Sequence, residues 1–342
     1  MIKLYKMMFL SSMITGTLIS ISSYSWMGMW MGLEINLLSI IPLMNSSKNS
    51  LSSESSLKYF ITQAMASTIL LLSVIMMMTL SNSANNIDFN FYLMMIMNST
   101  LLTKMGAAPF HFWFPEVMEG LDWMNCIILL TWQKIAPMIL MMYNIKMIFF
   151  MSMIIFFSMM ISGMIGINQT SLRKIMAYSS INHIAWMISS MLFLETVWLL
   201  YFIVYSIISI NIILLFKMSN VFYLKQLFVS INNNMPLKLF FIMNFLSLGG
   251  LPPFLGFFPK WMTIQIMIQN NLFTLAFIMV MMTLITLYFY MRITFSTILM
   301  NMNEQNWMFY QNSTKFKSNL IMMFNFISLT GLIFCTMIFN WL

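Results

Sequence analysis

This chain has little charge. Asp, Glu, Lys and Arg make up 7% of its 342 residues, while 61% are hydrophobic. A surface built from that mixture cannot be wetted all round, so a water-soluble globule is excluded. Cysteine is almost missing as well. Cys126 and Cys335 both lie in apolar stretches, with no spacing that would make a disulfide framework or a metal site. There is no glycine-rich dinucleotide loop, no P-loop and no cysteine cluster for an iron–sulfur centre, so no cofactor or metal is expected on this chain itself. Acidic residues number 8 against 16 basic ones. That excess forms no soluble basic face of the kind nucleic acid requires, so no nucleic-acid partner is expected.

What remains is hydrocarbon. A window of about twenty residues finds apolar segments near 4–24, 25–45, 57–80, 90–114, 122–144, 147–167, 172–193, 196–217, 238–268, 272–299 and 318–340. Polar, turn-forming runs such as Asn45-Ser46-Ser47 and Ser81 to Asn86 separate them. The expectation is an all-α polytopic membrane protein, a single membrane domain of about eleven spans. The first segment follows Lys3 and Lys6 and is read as a span rather than a cleaved signal, because it is no more apolar than those after it.

Counting along those spans, Lys3, Lys6, Lys48, Lys58, Arg173, Lys174, Lys217, Lys225, Lys238, Arg292, Lys315 and Lys317 fall on one side, and Lys146 alone on the other. The positive-inside rule then places the amino terminus on the side of synthesis and, with an odd number of spans, the carboxyl terminus opposite.

Three basic residues are left over. Lys104, Lys134 and Lys260 lie inside spans, and Glu34 lies in an earlier one. A charge at a helix centre costs roughly 2.5 to 3.5 kcal/mol on insertion scales. Four unpaired ones would therefore cost on the order of a whole domain's stability, so they must be paired, hydrated or functional. Prolines accompany the lysines. Each removes an N–H and strands the carbonyl four residues back, that of Met105 for Pro109, Gln133 for Pro137 and Gly249 for Pro253. Such carbonyls must face protein or a wet cavity. A satisfied kink is the ordinary reading of one membrane proline, but it does not account for a lysine beside three.

Gly28 and Gly32, taken to share a face with Glu34, suggest close helix packing and an interior glutamate rather than one snorkelling to an interface. His111, seven residues after Lys104, and His183 are candidate proton relays, each alternatively a satisfied hydrogen-bond partner. Glu116, Glu119 and Asp122 follow Pro115 and read as a solvated helix cap. Around 104–109 the chain reads Lys-Met-Gly-Ala-Ala-Pro, and 249–260 runs from Gly-Gly-Leu-Pro-Pro to Lys260. Both are spans broken by Gly and Pro beside a lysine. The odd spacing between them implies inverted repeats, one over about 4–144 and one over about 147–299, with an extra helix at about 318–340. Inverted repeats with discontinuous helices are a transporter pattern.

The runs WMGLEINLLSIIP from Trp30, SLKYFITQAMAS from Ser56, KMGAAPFHFWFPEV from Lys104, WQKIAPMIL from Trp132, NQTSLRKIMAYSSINHIAWM from Asn168 and LSLGGLPPFLGFFPKW from Leu246 together resemble the antiporter-like subunit family of respiratory complex I, NADH:ubiquinone oxidoreductase. The use of 45 methionines looks like animal mitochondrial coding, and the length looks like arthropod members, which lack the first three helices of bacterial relatives. The resemblance implies a proton-translocating subunit of the mitochondrial inner membrane. It implies an amino terminus in the matrix, a carboxyl terminus in the intermembrane space, and the lipid bilayer and other membrane-arm subunits as partners. NADH, FMN, iron–sulfur clusters and ubiquinone are implied for the complex and not for this chain.

It also implies that Glu34 is the family's essential glutamate, Lys104 its broken-helix lysine, Lys134 its bridging lysine and Lys260 the lysine of the second broken helix. Burial disfavours a lysine's charged form and a nearby carboxylate favours it. Glu34 acting on Lys104 would thus load or release a proton, which Lys134 and Lys260 pass on. The tenth span is read as offering only hydroxyls, Thr283, Thr286, Tyr288 and Tyr290. A free-standing cation/proton antiporter subunit and an inert scaffold are the alternatives.

Overall fold

The computed structural model describes residues 4–45, 49–80, 87–145, 147–232, 235–299 and 331. Among them the regular backbone is helical apart from one antiparallel bridge, Ser171 to Tyr223. In hydrocarbon each backbone polar group must find a partner within the chain, which an α-helix provides locally. The chain forms two compact units, Met1–Ser158 and Met159–Leu342.

The first unit holds α1 (Leu4–Ser22), α2 (Trp26–Met44), α3 (Ser50–Leu80), α4 (Ile87–Met105), α5 (Trp113–Gly120), α6 (Trp123–Leu130), α7 (Trp132–Met142) and the start of α8 (Ile148–Ile167). Small residues bring α1 and α2 together. A Cβ on Gly32 would lie 2.5 Å from the Ser20 nitrogen, and one on Gly16 would lie 3.0 Å from that of Asn36. Gly28 instead sits against Ser23 and Ser25 of the turn. The expected Gly28–Gly32 face for Glu34 is therefore corrected. Gly32 and Glu34 are two residues apart, about 200° around a helix, so the face that meets α1 is not the one that carries the carboxylate. Glu34 is partly exposed.

Tryptophan and asparagine side chains tie the remaining helices together. Trp30 Nε1 donates to the Ser67 carbonyl at 3.1 Å, Trp113 Nε1 to that of Thr103 at 3.0 Å, and Asn125 Nδ2 to that of Leu43 at 3.0 Å. With 31 residues, α3 is about 46 Å long, more than the roughly 30 Å of a hydrocarbon core. Its first turns therefore reach the interface, where Lys58 bridges Glu54 at 3.1 Å and Glu116 at 2.8 Å.

The second unit holds the rest of α8, then α9 (Leu172–Met191), α10 (Glu195–Ser219), α11 (Leu224–Asn232), α12 (Met235–Gly249), α13 (Phe257–Gln269) and α14 (Phe273–Leu299). From Ile175 to Met191, α9 is buried on every face, with α10 and α13 against it. A helix shielded by protein can carry polar groups, and α9 buries Ser179, Ser180, Asn182 and His183.

Among the described residues seven helical stretches are long and apolar enough to cross a bilayer: α1, α2, most of α3, α6 with α7, α8, α10 and α14. The other expected spans behave differently for physical reasons. That at 238–268 is split into α12 and α13, of 15 and 13 residues, that at 90–114 breaks after Met105, and α4 and α9, though 19 and 20 residues long, carry too many polar residues to stand out as apolar. Apart from Gly331, the segment at 318–340, Cys335 included, lies outside the described residues. Two expectations are corrected. The tenth span carries a charge, since Arg292 stands exposed on α14. Lys238, expected in a loop, lies in α12 and is only 6% exposed.

Candidate functional site

The two broken helices are interrupted by the same device. At the end of α4, Gly106 adopts φ 75°, its N–H donates to the Leu102 carbonyl at 3.0 Å, and the Ala107 N–H donates to the same oxygen at 3.1 Å. At the end of α12, Gly250 adopts φ 79°, and the N–H groups of Gly250 and Leu251 share the Leu246 carbonyl at 3.1 and 3.4 Å. This is the left-handed glycine cap with a six-to-one bond, a conformation that any side chain would strain. Three residues later Pro109 and Pro253 keep the helix from resuming at once, and a phenylalanine follows each.

A helix that stops inside a membrane leaves its last carbonyls without N–H partners. In the second unit Lys260 supplies one. From α13 its Nζ reaches back across the break and donates to the Gly249 carbonyl at 2.8 Å and that of Leu248 at 3.3 Å. Gly249 is the residue whose carbonyl Pro253 leaves free. The ammonium thus meets the negative end of a helix. The Lys260 side chain is buried, with Nζ 5.9 Å from the centre of the Trp186 ring.

In the first unit the lysine stands on the interrupted helix itself. Lys104, in the last turn of α4, is buried and borders a cavity of about 20 Å³ lined also by Asn36, Tyr59, Gln63, Gln133 and Pro137. That is room for one water with several polar partners. Gln133 Nε2 donates to Asn36 Oδ1 at 2.8 Å, and the Tyr59 hydroxyl to Gln133 Oε1 at 3.4 Å. The buried Gln63 Nε2 has no protein acceptor. The side chains of Asn36, Tyr59, Gln63 and Gln133 carry no charge, so a search for charge in the sequence misses them; for the three amides the available signal is an Asn or Gln within an apolar run.

Glu34 and Lys104 interact electrostatically without an ion pair within 4 Å. Lys134 is buried in α7, its Nζ 5.6 Å from the centre of the Phe114 ring. Phe114 in turn packs against Gly106, so Lys134 stands one side chain away from the first break. The helix ahead of Lys134 is interrupted at Thr131, with φ −111° and ψ −70°, and Pro137 stays inside α7.

His111 is buried within the break, with Nδ1 3.3 Å from the Pro109 carbonyl. The helical face it was expected to share with Lys104 ends at Met105, so the seven-residue spacing does not align them. His183 lies at the centre of the second unit. Its Nδ1 is 2.9 Å from the Tyr201 hydroxyl and its ring centre 5.0 Å from that of Tyr205, which hydrogen-bonds Ser180. Next to it Asn182 Nδ2 donates to Thr286 Oγ1 at 3.2 Å, joining α9 to the hydroxyls of α14. Glu116 is exposed in the first turn of α5, and Asp122 is exposed at the start of α6. Among the described residues no three His, Cys, Asp or Glu side chains gather as a metal site.

Membrane helices broken at capped glycines, with buried lysines at the breaks, define an antiporter-type membrane subunit. Residues 23–286 match the family model for the membrane part of NADH:quinone oxidoreductase and Mrp antiporter subunits, and residues 287–339 match that of the NADH dehydrogenase subunit 2 C-terminus. The chain belongs to this family, in its subunit 2 branch. It is 52% identical over 340 residues to NADH-ubiquinone oxidoreductase chain 2 of Anopheles gambiae, covering 98% of each. It is 48% identical over 340 residues to that of Locusta migratoria, covering 97% of this chain and 96% of the relative. Among solved structures, a chain of respiratory complex I from Thermus thermophilus with bound aureothin matches with a TM-score of 0.85 at 18% identity, covering 97% of this chain and 78% of that one.

Proposed function

We propose that the chain is an antiporter-like subunit of the membrane arm of respiratory complex I in the mitochondrial inner membrane. In this reading it moves protons across the membrane, while NADH oxidation and ubiquinone reduction, with FMN and iron–sulfur clusters, take place in other subunits. The insect relatives that cover nearly the whole chain carry the name of that enzyme. The fuller architecture of about eleven spans with inverted repeats over 4–144 and 147–299 belongs to the same reading.

The observation that carries it is Lys260 at the broken helix. A charged lysine there makes two charge-assisted bonds to Gly249 and Leu248, and such bonds are roughly twice as strong as neutral ones. A neutral amine still has N–H groups to offer the same carbonyls. The site therefore holds either protonation state without stranding the helix end, as a proton carrier must. Around Lys104 the amides of Asn36, Gln63 and Gln133, each both donor and acceptor, serve the same end. Glu34, Lys104 and Lys134 form the proton-handling set of the first unit, with His111 beside them in the break. Lys260 forms that of the second, with His183 and Tyr201 as a relay.

The test is to replace Lys260 in the assembled complex and measure protons translocated per ubiquinone reduced in sealed vesicles. Lys260→Met keeps length and apolarity but has no titratable group, so the complex assembles and the ratio falls. Lys260→Arg keeps the charge but never releases it, so it lowers the ratio as Met does. Normal pumping by the arginine variant would mean that a fixed charge suffices and that no proton passes through Lys260.

A further inference from the structure

One end of the second unit carries charge of a single sign. Arg173 and Lys174 stand in the first turn of α9, Lys217 in the last turn of α10, Lys225 on α11 and Arg292 on α14. The unit's described residues include one carboxylate, Glu195, and it starts α10, 22 residues before Lys217. At about 1.5 Å per residue that is roughly 33 Å away, at the opposite end of the helix.

At the basic end a cavity of about 340 Å³ opens between the end of α8, the loop that leads into α9, α11 and α14. Its frame is tied down. The Leu172 N–H donates to the Phe222 carbonyl at 2.9 Å, the Leu224 N–H to that of Thr170 at 3.1 Å, and Gln226 Oε1 accepts from the Phe222 N–H at 3.0 Å. The lining is two-sided. Asn168, Thr170, Arg292 and Ser296 give it a polar part, and Phe228 and Phe289 an apolar wall. Arg292 is exposed and makes no ion pair with any described residue.

A guanidinium fork matches phosphate oxygens in pairs, and the volume falls within the range of small-ligand sites, about 300 to 1,000 Å³. Basic pockets between membrane helices suit anionic headgroups. A soluble anion would gain nothing from the phenylalanine wall. We propose that this cavity seats the phosphodiester headgroup of one anionic phospholipid. Its phosphate sits on Arg292, with the Thr170 hydroxyl as a donor, and its acyl chains run along Phe228 and Phe289.

The experiment uses the detergent-solubilised complex and a photoactivatable phosphatidylglycerol, with labelled peptides mapped by mass spectrometry. Labelling is expected on α11 and on the part of α14 from Phe289 to Ser296. Unlabelled phosphatidylglycerol should displace it, and phosphatidylcholine or inorganic phosphate should not. Arg292→Gln should weaken labelling about fivefold, as expected for one basic contact near a membrane surface, and Arg292→Lys by less. Equal displacement by phosphatidylcholine, or unchanged labelling of the glutamine variant, overturns the proposal. Displacement by inorganic phosphate at millimolar concentration would make this a free-anion site and overturns the lipid source. If the glutamine variant fails to assemble, the competition series on the native complex still decides.

Discussion

Glu34 is the residue whose substitution best separates structure from transport. Breaking a buried ion pair by removing one partner typically costs about 3 to 5 kcal/mol, and that would confuse any loss of pumping with loss of assembly. Here the carboxylate is partly exposed and forms no ion pair with Lys104, so neutralising it strands no contact partner. Glu34→Gln should leave the complex assembled on a native gel, while protons translocated per turnover fall. A variant that does not assemble would make the glutamate structural first and remove its support for the transport reading. Charge in an apolar run is legible in a sequence because it is expensive. The amides that complete the Lys104 site are not, because an Asn or Gln in a span costs less and only its neighbours reveal whether it faces a cavity or another helix.

The breaks were legible at the scale of the element, because Gly and Pro at a fixed spacing leave a helix no other course. What each lysine does there was not. Lys104 precedes its capped glycine by two residues and Lys260 follows its own by ten, so alignment alone sets them at unlike positions. The fold brings Lys260 back to the carbonyl of Leu248, the residue at the Lys104 register of the second break. Helix α11 escaped because nine amphipathic residues disappear inside a twenty-residue window.

Two adjacent glycines test the cap. At Gly250 a Cβ would lie 2.8 Å from Lys260 Cδ and 2.9 Å from Nζ, on a backbone at φ 79°. At Gly249 the nearest atoms are 3.8 Å away and φ is not positive. Gly250→Ala should therefore destabilise the complex by about 1 to 3 kcal/mol and impair translocation by pushing Lys260 off the Gly249 carbonyl. Gly249→Ala should be close to neutral in both. Equal melting temperatures and equal translocation for the two variants would refute the role given to the cap.

Orientation in the membrane belongs to the molecule as a whole, and it rests on where charge is placed. Burial removes Lys238 from solvent, and Arg292 stands on a helix instead of in a loop. Neither change alters the count, because the rule weighs lysines and arginines near the ends of spans as well as those in loops. Arg173, Lys174, Lys217 and Lys225 lie at the start of α9, the end of α10 and on α11, all on the side that holds the amino terminus if each expected span crosses once. The prediction is that this side is the matrix and that, with an odd number of spans, the carboxyl terminus lies in the intermembrane space. Tags at the two ends check this in mitoplasts, whose outer membrane has been removed. Added protease should digest the carboxyl-terminal tag and spare the amino-terminal one until the inner membrane is opened. Equal accessibility of both tags would require an even number of crossings. The opposite pattern would keep the odd number but place the basic ends, with the cavity at Arg292, on the outer face, where the loop charges would contradict the positive-inside rule.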